Sequence, residues 1–335
     1  MNNTASLKTK INPVSSCYVT EENVVSNDMA WAIEKATNTP LMQAVQGGQV
    51  DIVQWLINRG ADVNAQNKDG LTSLHFASSV SDDKIGRMCV DILVAAGAKV
   101  NVQDNRGNTP LMSATMNGNM ECIEALSLNG GDFSIQNDDG VTPLKYVLLH
   151  IEDTFGKNID GENLAKSLLK NGADINETND YGDTLLTQLI ISGNRTQKVV
   201  DFLLNNGMDA NKQNREGFTP LMISIIHHAD ECFEKLVRHG VDLNIQNEQG
   251  INALMYAAML KKQDMVYTLI DNKASVKRRT KSGETFWGYM SQSMRRRLVE
   301  HYNLPKEKYI TSHASSASTI EQVKEGNYRI LEYKI

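Results

Sequence analysis

Apolar residues recur along this chain in short helical bursts separated by polar turns. In the first burst Leu41, Ala44 and Val45 share one helical face, and Ile52, Val53, Leu56 and Ile57 share another. That spacing predicts two short amphipathic helices. The burst opens on Thr39-Pro40-Leu41 and closes on Gly60-Ala61-Asp62-Val63-Asn64. Counterparts of Thr39 stand at Thr72, Thr109, Thr142, Thr184, Thr219, Asn252 and Thr285, at successive spacings of 33, 37, 33, 42, 35, 33 and 33 residues. A near-constant period of this length denotes a stack of small helix-pair units rather than one globular core.

The punctuation of each unit has a mechanical reading. The threonine can cap the first helix, and Pro40, Pro110, Pro143 and Pro220 follow it, where the missing N–H of proline costs nothing. In the second unit the first helix is expected to run through Ala77 and the second to lie around Cys89 to Ala95. Gly60, Gly97, Gly130, Gly172, Gly207 and Gly240 end the second helices, where the chain turns through positive φ. Ala44, Ala77, Ala114 and Ala257 put a small side chain at one position of the first helix, so that neighbouring pairs can approach closely. Neither helix is long enough to persist alone in water.

The strings Gly-x-Thr-Pro-Leu and Leu-Leu-x-x-Gly-Ala-Asp-x-Asn, with the small residue between them, resemble the ankyrin repeat. Met42, Met112, Met222 and Met255 stand where the family often has histidine, and His75 keeps it. The resemblance covers about Asn38 to Asn303, seven units and a partial eighth. It implies an all-α solenoid of helix pairs joined by extended turns. Asn252-Ala253-Leu254 and Lys273 depart from the pattern, and the unit at Thr285-Phe286-Trp287 loses it, as terminal units commonly do.

Outside the array, residues 1–20 read as a flexible N-terminus and 21–37 as a capping helix, with Val25, Met29, Ile33 and Ala36 on one face. Met290 to Tyr302 reads as a closing helix with a basic outer face, ended by Pro305. Residues 304–335 form a tail, Ser/Ala-rich at first and then polar with late apolar residues. The irregular spacings place insertions between paired helices: four residues around Val80 to Ile85, nine around Glu152 to Glu162 and two near Asn194.

The balance of 34 Lys+Arg against 40 Asp+Glu, a net charge of −6, gives no electrostatic case for nucleic acid. No apolar run approaches the ~20 residues that span a bilayer. Cys17, Cys89, Cys122 and Cys232 are isolated, which suits reduced thiols in a cytoplasmic protein. No phosphate loop, dinucleotide fingerprint, metalloprotease helix or nucleophile elbow occurs. His227 and His228 diverge by about 100° on a helix, a poor metal pair. The acidic turns at Asp138, Asp139, Asp180 and Asp183 lack the glycine and distal glutamate of a calcium loop. The expectation is a monomeric binding module with no enzymatic activity, cofactor or metal.

The ankyrin resemblance implies binding through the turn tips and the inner helix surface. There the last position of the inner helix carries Met116, Leu149, Ile191, Ile226 and Met259 in five successive units. A contiguous apolar stripe marks a contact site. His227 lies beside it, and Tyr181, Phe218 and Ile251 are expected at the tips as anchors, with Asp138, Asp139, Asp180 and Asp183 on the early side. The expected partner is a protein with an apolar ridge flanked by basic residues. The chain also resembles ankyrin-repeat effector proteins of intracellular bacteria, which implies secretion into a host cell cytoplasm, with residues 319–335 similar in character to type IV secretion signals. The alternative is a regulator or sensor subunit that uses the acidic 152–162 loop as effector site. Asn64 and Asn244 resemble sites that asparaginyl hydroxylase modifies in ankyrin repeats.

Overall fold

The computed structural model describes residues 38–305 apart from 153, 156–158 and 194–196. The expectations for the capping helix at 21–37 and for the tail beyond Pro305 lie outside the described residues. Inner helices α1 (Pro40–Gln46), α3 (Ser73–Ala77), α5 (Pro110–Met116), α7 (Pro143–Leu149), α9 (Leu185–Ile191), α11 (Pro220–Ile226) and α13 (Ala253–Met259) alternate along the chain with outer helices. The outer set is α2 (Val50–Asn58), α4 (Asp83–Ala95), α6 (Met120–Leu128), α8 (Gly161–Lys170), α10 (Gln197–Asn205), α12 (Asp230–His239) and α14 (Gln263–Asp271). A 3₁₀ turn at Phe286–Tyr289 and helix α15 (Gln292–His301) close the described stack. The fold is all-α, with one two-residue hairpin, β1 (Thr154–Phe155) paired to β2 (Ile159–Asp160), inside the nine-residue insertion.

Each inner helix starts where its cap is. The hydroxyls of Thr39, Thr109, Thr142, Thr184 and Thr219 accept the N–H three residues on, at 3.1–3.3 Å. Asn252, the departure from the pattern, does the same through Oδ1 to the Met255 N–H at 3.0 Å. In the second unit His75 joins the cap: its Nδ1 accepts the Thr72 N–H at 3.1 Å, and Nε2 lies 3.1 Å from the Asn108 carbonyl. An acceptor at Nδ1 puts the proton on Nε2, which donates to Asn108. Burial lowers the affinity of this imidazole for a second proton.

The insertions are absorbed as structure. The four extra residues of the second unit lengthen the outer helix toward its N-terminus, so α4 begins at Asp83 and not near Cys89. Asp82 caps it, accepting the Lys84 and Ile85 N–H groups at 3.0 and 3.2 Å. Lys273, in place of the usual glycine, turns the chain at φ 68°, and His228 and Lys261 do so at 54° and 57° in other turns. Helix α15 ends at His301, before Pro305: the chain turns away at Asn303, which has φ 48°, and the Leu304 N–H returns to the Val299 carbonyl at 2.9 Å. Arg295, read as part of a basic outer face, is 2% exposed, while Arg296 and Arg297 are exposed.

The apolar faces merge into one continuous core along the stack. Ala44, Ala77, Ala114 and Ala257 are all buried in it. Between units run the hairpins 61–71, 98–108, 131–141, 173–183, 208–218, 241–251 and 274–284. In 61–71, Asn67 Oδ1 accepts the N–H groups of Asp69 and Leu71, each at 3.0 Å, and this holds the tip. Asp104, Asn137, Asn179, Asn214 and Asn247 repeat the device.

Candidate protein-binding surface

Met116, Leu149, Ile191, Ile226 and Met259 are each the last residue of their inner helix. All five are partly exposed rather than buried. Leu149, Ile191, Ile226 and Met259 pack their stems on the core and leave the remainder open. In the first two units the same position is polar and exposed, at Gln46 and Ser79. His227 follows Ile226 and is partly exposed, and Leu260 follows Met259 and is exposed.

The tips divide into two sets. Tyr181 is 53% exposed, and Asp138, Asp139 and Asp180 are exposed. Phe218, Ile251 and Asp183 are not tip residues in the sense expected: they are 2%, 3% and 4% exposed. The reason is local. This last hairpin position precedes the cap and is pulled inward by the turn-holding side chain four residues earlier. Phe218 then lies against Tyr256 of the next unit, ring centroids 5.7 Å apart. Asp183 accepts from Asn214 Nδ2 at 2.8 Å and from Asn179 Nδ2 at 3.3 Å, so its carboxylate serves the stack and not a partner.

Tyr181 and Ile191 line one recess of about 230 Å³ with Arg215, Glu216 and Ile223. Its floor is apolar and its rim carries both charges. Ile223 went unnoticed in sequence because one turn before the stripe looks like core, and it is buried there. Tyr146, 4.9 Å from His150 ring to ring, is a second aromatic beside the stripe that spacing alone did not single out.

Models of ankyrin repeats match residues 83–154, 157–247 and 198–280, and a further one matches 32–77. The chain belongs to the ankyrin repeat family. Among its relatives, a fowlpox virus (strain NVSL) protein named for its ankyrin repeats is 32% identical over 159 residues, 46% of this chain and 43% of the relative. Human Rabankyrin-5 is 27% identical over 219 residues, 58% of this chain and 19% of its own length. Human neurogenic locus notch homolog protein 1 is 29% identical over 175 residues, 52% of this chain and 6% of its own length. The chain thus spans less than half of each of these relatives.

Ankyrin repeats are generally non-catalytic protein-interaction modules. Among the described residues no three His, Cys, Asp or Glu side chains gather as a metal-ligand set, and no helix is long and apolar enough to cross a membrane. Cys89, Cys122 and Cys232 are buried. Burial pushes the Cys89 thiol up to about 11 and that of Cys122 up to about 12, which leaves them protonated and unreactive at neutral pH. In the insertion, Asp160 caps α8 through the Glu162 and Asn163 N–H groups at 3.0 and 3.1 Å. Glu162 pairs with Lys166 at 2.7 Å. These acids already have structural partners, and Asp153 lies outside the described residues. Asn64 is likewise engaged, donating to the Gly97 carbonyl at 3.1 Å and accepting the Lys99 N–H at 2.8 Å.

Proposed function

We propose that this ankyrin array is a non-enzymatic, monomeric protein-binding module whose partner docks on the concave stripe of Met116, Leu149, Ile191, Ile226 and Met259. Tyr181 and His227 extend the contact, and Asp138, Asp139 and Asp180 flank it. The partner presents an apolar ridge with basic flanks. One observation carries the reading: five successive inner helices end on a partly exposed apolar residue where the first two units have Gln46 and Ser79. A run of that kind exceeds the scattered apolar exposure of an ordinary surface. Next to it, the recess below Tyr181 offers a place for an anchoring side chain.

The test is a paired affinity purification. The double variant Ile191→Asp and Ile226→Asp, checked by circular dichroism for an intact fold, is compared with the native chain and with Glu124→Lys on the exposed outer surface. A true partner is retained by the outer variant and lost from the double variant. Retention by both dismisses the stripe. Because the stripe residues are partly buried, Tyr181→Ala, checked by circular dichroism in the same way, serves as a second probe at an exposed position.

A finer reading, that the module works in a cytoplasm and is translocated into a host cell as an effector, is supported by the buried cysteines and by the composition of residues 319–335. Deletion of 319–335 in a translocation reporter assay decides it: unchanged delivery removes the segment from the account.

A further inference from the structure

Consecutive hairpins of the array are stitched by three recurring bonds. The first is an asparagine whose Oδ1 accepts an N–H of the next hairpin: Asn64 from Lys99, Asn101 from Asp132, Asn176 from Asp209, Asn211 from Asp242 and Asn244 from Ser275, all at 2.7–2.9 Å. The second is a glutamine that donates to the next hairpin's carbonyl: Gln66 to Gln103, Gln103 to Gln136, Gln213 to Gln246 and Gln246 to Arg279. The third joins the tips through the backbone: Asn105 N–H to Asp69, Asp138 to Arg106, Arg215 to Tyr181, Glu248 to Glu216 and Lys281 to Gln249.

Hairpins 131–141 and 173–183, which lie before and after the helix pair of the fourth unit, make none of the three with each other, while every other junction keeps at least two. Ser134 replaces the asparagine and bonds instead to Asp132 of its own hairpin at 2.7 Å. Glu177 stands where the other hairpins carry Ala65, Val102, Ile135, Lys212, Ile245 and Arg278, so this junction alone has an acidic side chain at that position. A cleft of about 560 Å³ opens here between Asp132, Ser134, Asp174 and Glu177, with a smaller recess beside it at Lys145 and Gln188. Hydrogen bonds that cross here include the side-chain bonds from Thr142 Oγ1 to Glu177 Oε1 at 2.5 Å and from Lys198 Nζ to the Ile151 carbonyl at 3.2 Å.

The geometry points to a hinge between the fourth and fifth units, about which two stiff blocks, 38–170 and 173–305, change the curvature of the concave face. In a repeat stack each unit is held only by its neighbours, so a weakened interface concentrates motion at one place. The hinge divides the apolar stripe, with Met116 and Leu149 on one block and Ile191, Ile226 and Met259 on the other. Its bending therefore sets the gap between Leu149 and Ile191. The hinge stands on the stitching of the hairpins and holds whether or not the stripe binds a partner.

Spin-label distances on the full chain test it. Labels replace Asn129 and Asn205, exposed residues two units apart that straddle the junction. The control pairs, Asn58 with Asn129 and Asn205 with Asp271, span two units within one block. The distance distribution across the junction is expected to be at least about twice as wide as either control. Ser134→Asn, a change at an exposed position that restores the first bond, narrows it, and adding Glu177→Ile narrows it to the control width. Equal widths in the native chain overturn the hinge. So does a folded Ser134→Asn variant with an unaltered distribution.

Discussion

Glu177, partly buried, and His75, fully buried, shift in opposite senses, and they give the array a two-sided pH response. Desolvation raises the Glu177 carboxyl to about 7, helped by Asp174 and opposed by the Thr142 hydrogen bond and by Lys145. A folded pKa above the ordinary 4.5 means that the folded state holds its proton more tightly. Stability from this group is complete below about 4.5 and is lost as pH rises through about 7. Glu177→Gln keeps an oxygen for the Thr142 hydroxyl and removes the titration. The variant is expected to gain on the order of 1 kcal/mol over the native chain at pH 8 and little at pH 5, read by urea melts at both values. His75 works the other way: desolvation lowers its pKa, so stability falls as pH drops below its unfolded value of about 6.5. A second residue-scale prediction concerns Lys273. A left-handed non-glycine residue costs ~1–2 kcal/mol, and glycine returns part of that as chain entropy. Lys273→Gly is therefore expected to stabilise the array by about 0.5–1 kcal/mol in the same melts. A loss of stability would contradict the strain reading.

At the scale of elements, the helix starts were legible because a threonine cap and a following proline state their purpose in the sequence. Asn252 kept that purpose under a different side chain. The hairpin ends were less legible. Phe218, Ile251 and Asp183 follow the exposed tips, and their turn into the stack depends on asparagine side chains that grip the backbone from four residues away. The signal was present in composition, since Leu71, Val141, Phe218 and Ile251 make this position mostly apolar. An apolar column at a fixed register is as much a core signature in a hairpin as in a helix. Gly86 in α4 makes a sharp test of packing between units. A Cβ there would stand 2.9 Å from the Ala77 carbonyl oxygen and 3.0 Å from Cys122 Sγ. Helix propensity alone favours alanine over glycine by ~1 kcal/mol. Close approach of α4 to the next unit reverses the sign, and Gly86→Ala is expected to destabilise by about 1–3 kcal/mol in chemical denaturation.

At the scale of the whole molecule, period and patterning were enough to give the ankyrin stack, because each unit repeats the same local physics. The stripe was legible too, since register assigned Met116, Leu149, Ile191, Ile226 and Met259 to one place. The broken stitching between the fourth and fifth units could not be read without the structure. Its absence depends on which side chains meet across 31 to 42 residues of sequence, as Asn101 meets Asp132 and Gln136 fails to meet Thr178. The outcome is an array with a graded surface: polar in the first two units, apolar along the concave face of the next five, and acidic at the tips between. The central claim is that this face binds a protein. The measurement that tests it most directly is the affinity of a partner, found by paired purification, for the native chain and for the folded Ile191→Asp, Ile226→Asp variant. Anchoring residues at an interface are worth ~2 kcal/mol or more each, so the account predicts a loss of at least about thirtyfold. Unchanged affinity in a variant with native circular dichroism would contradict it.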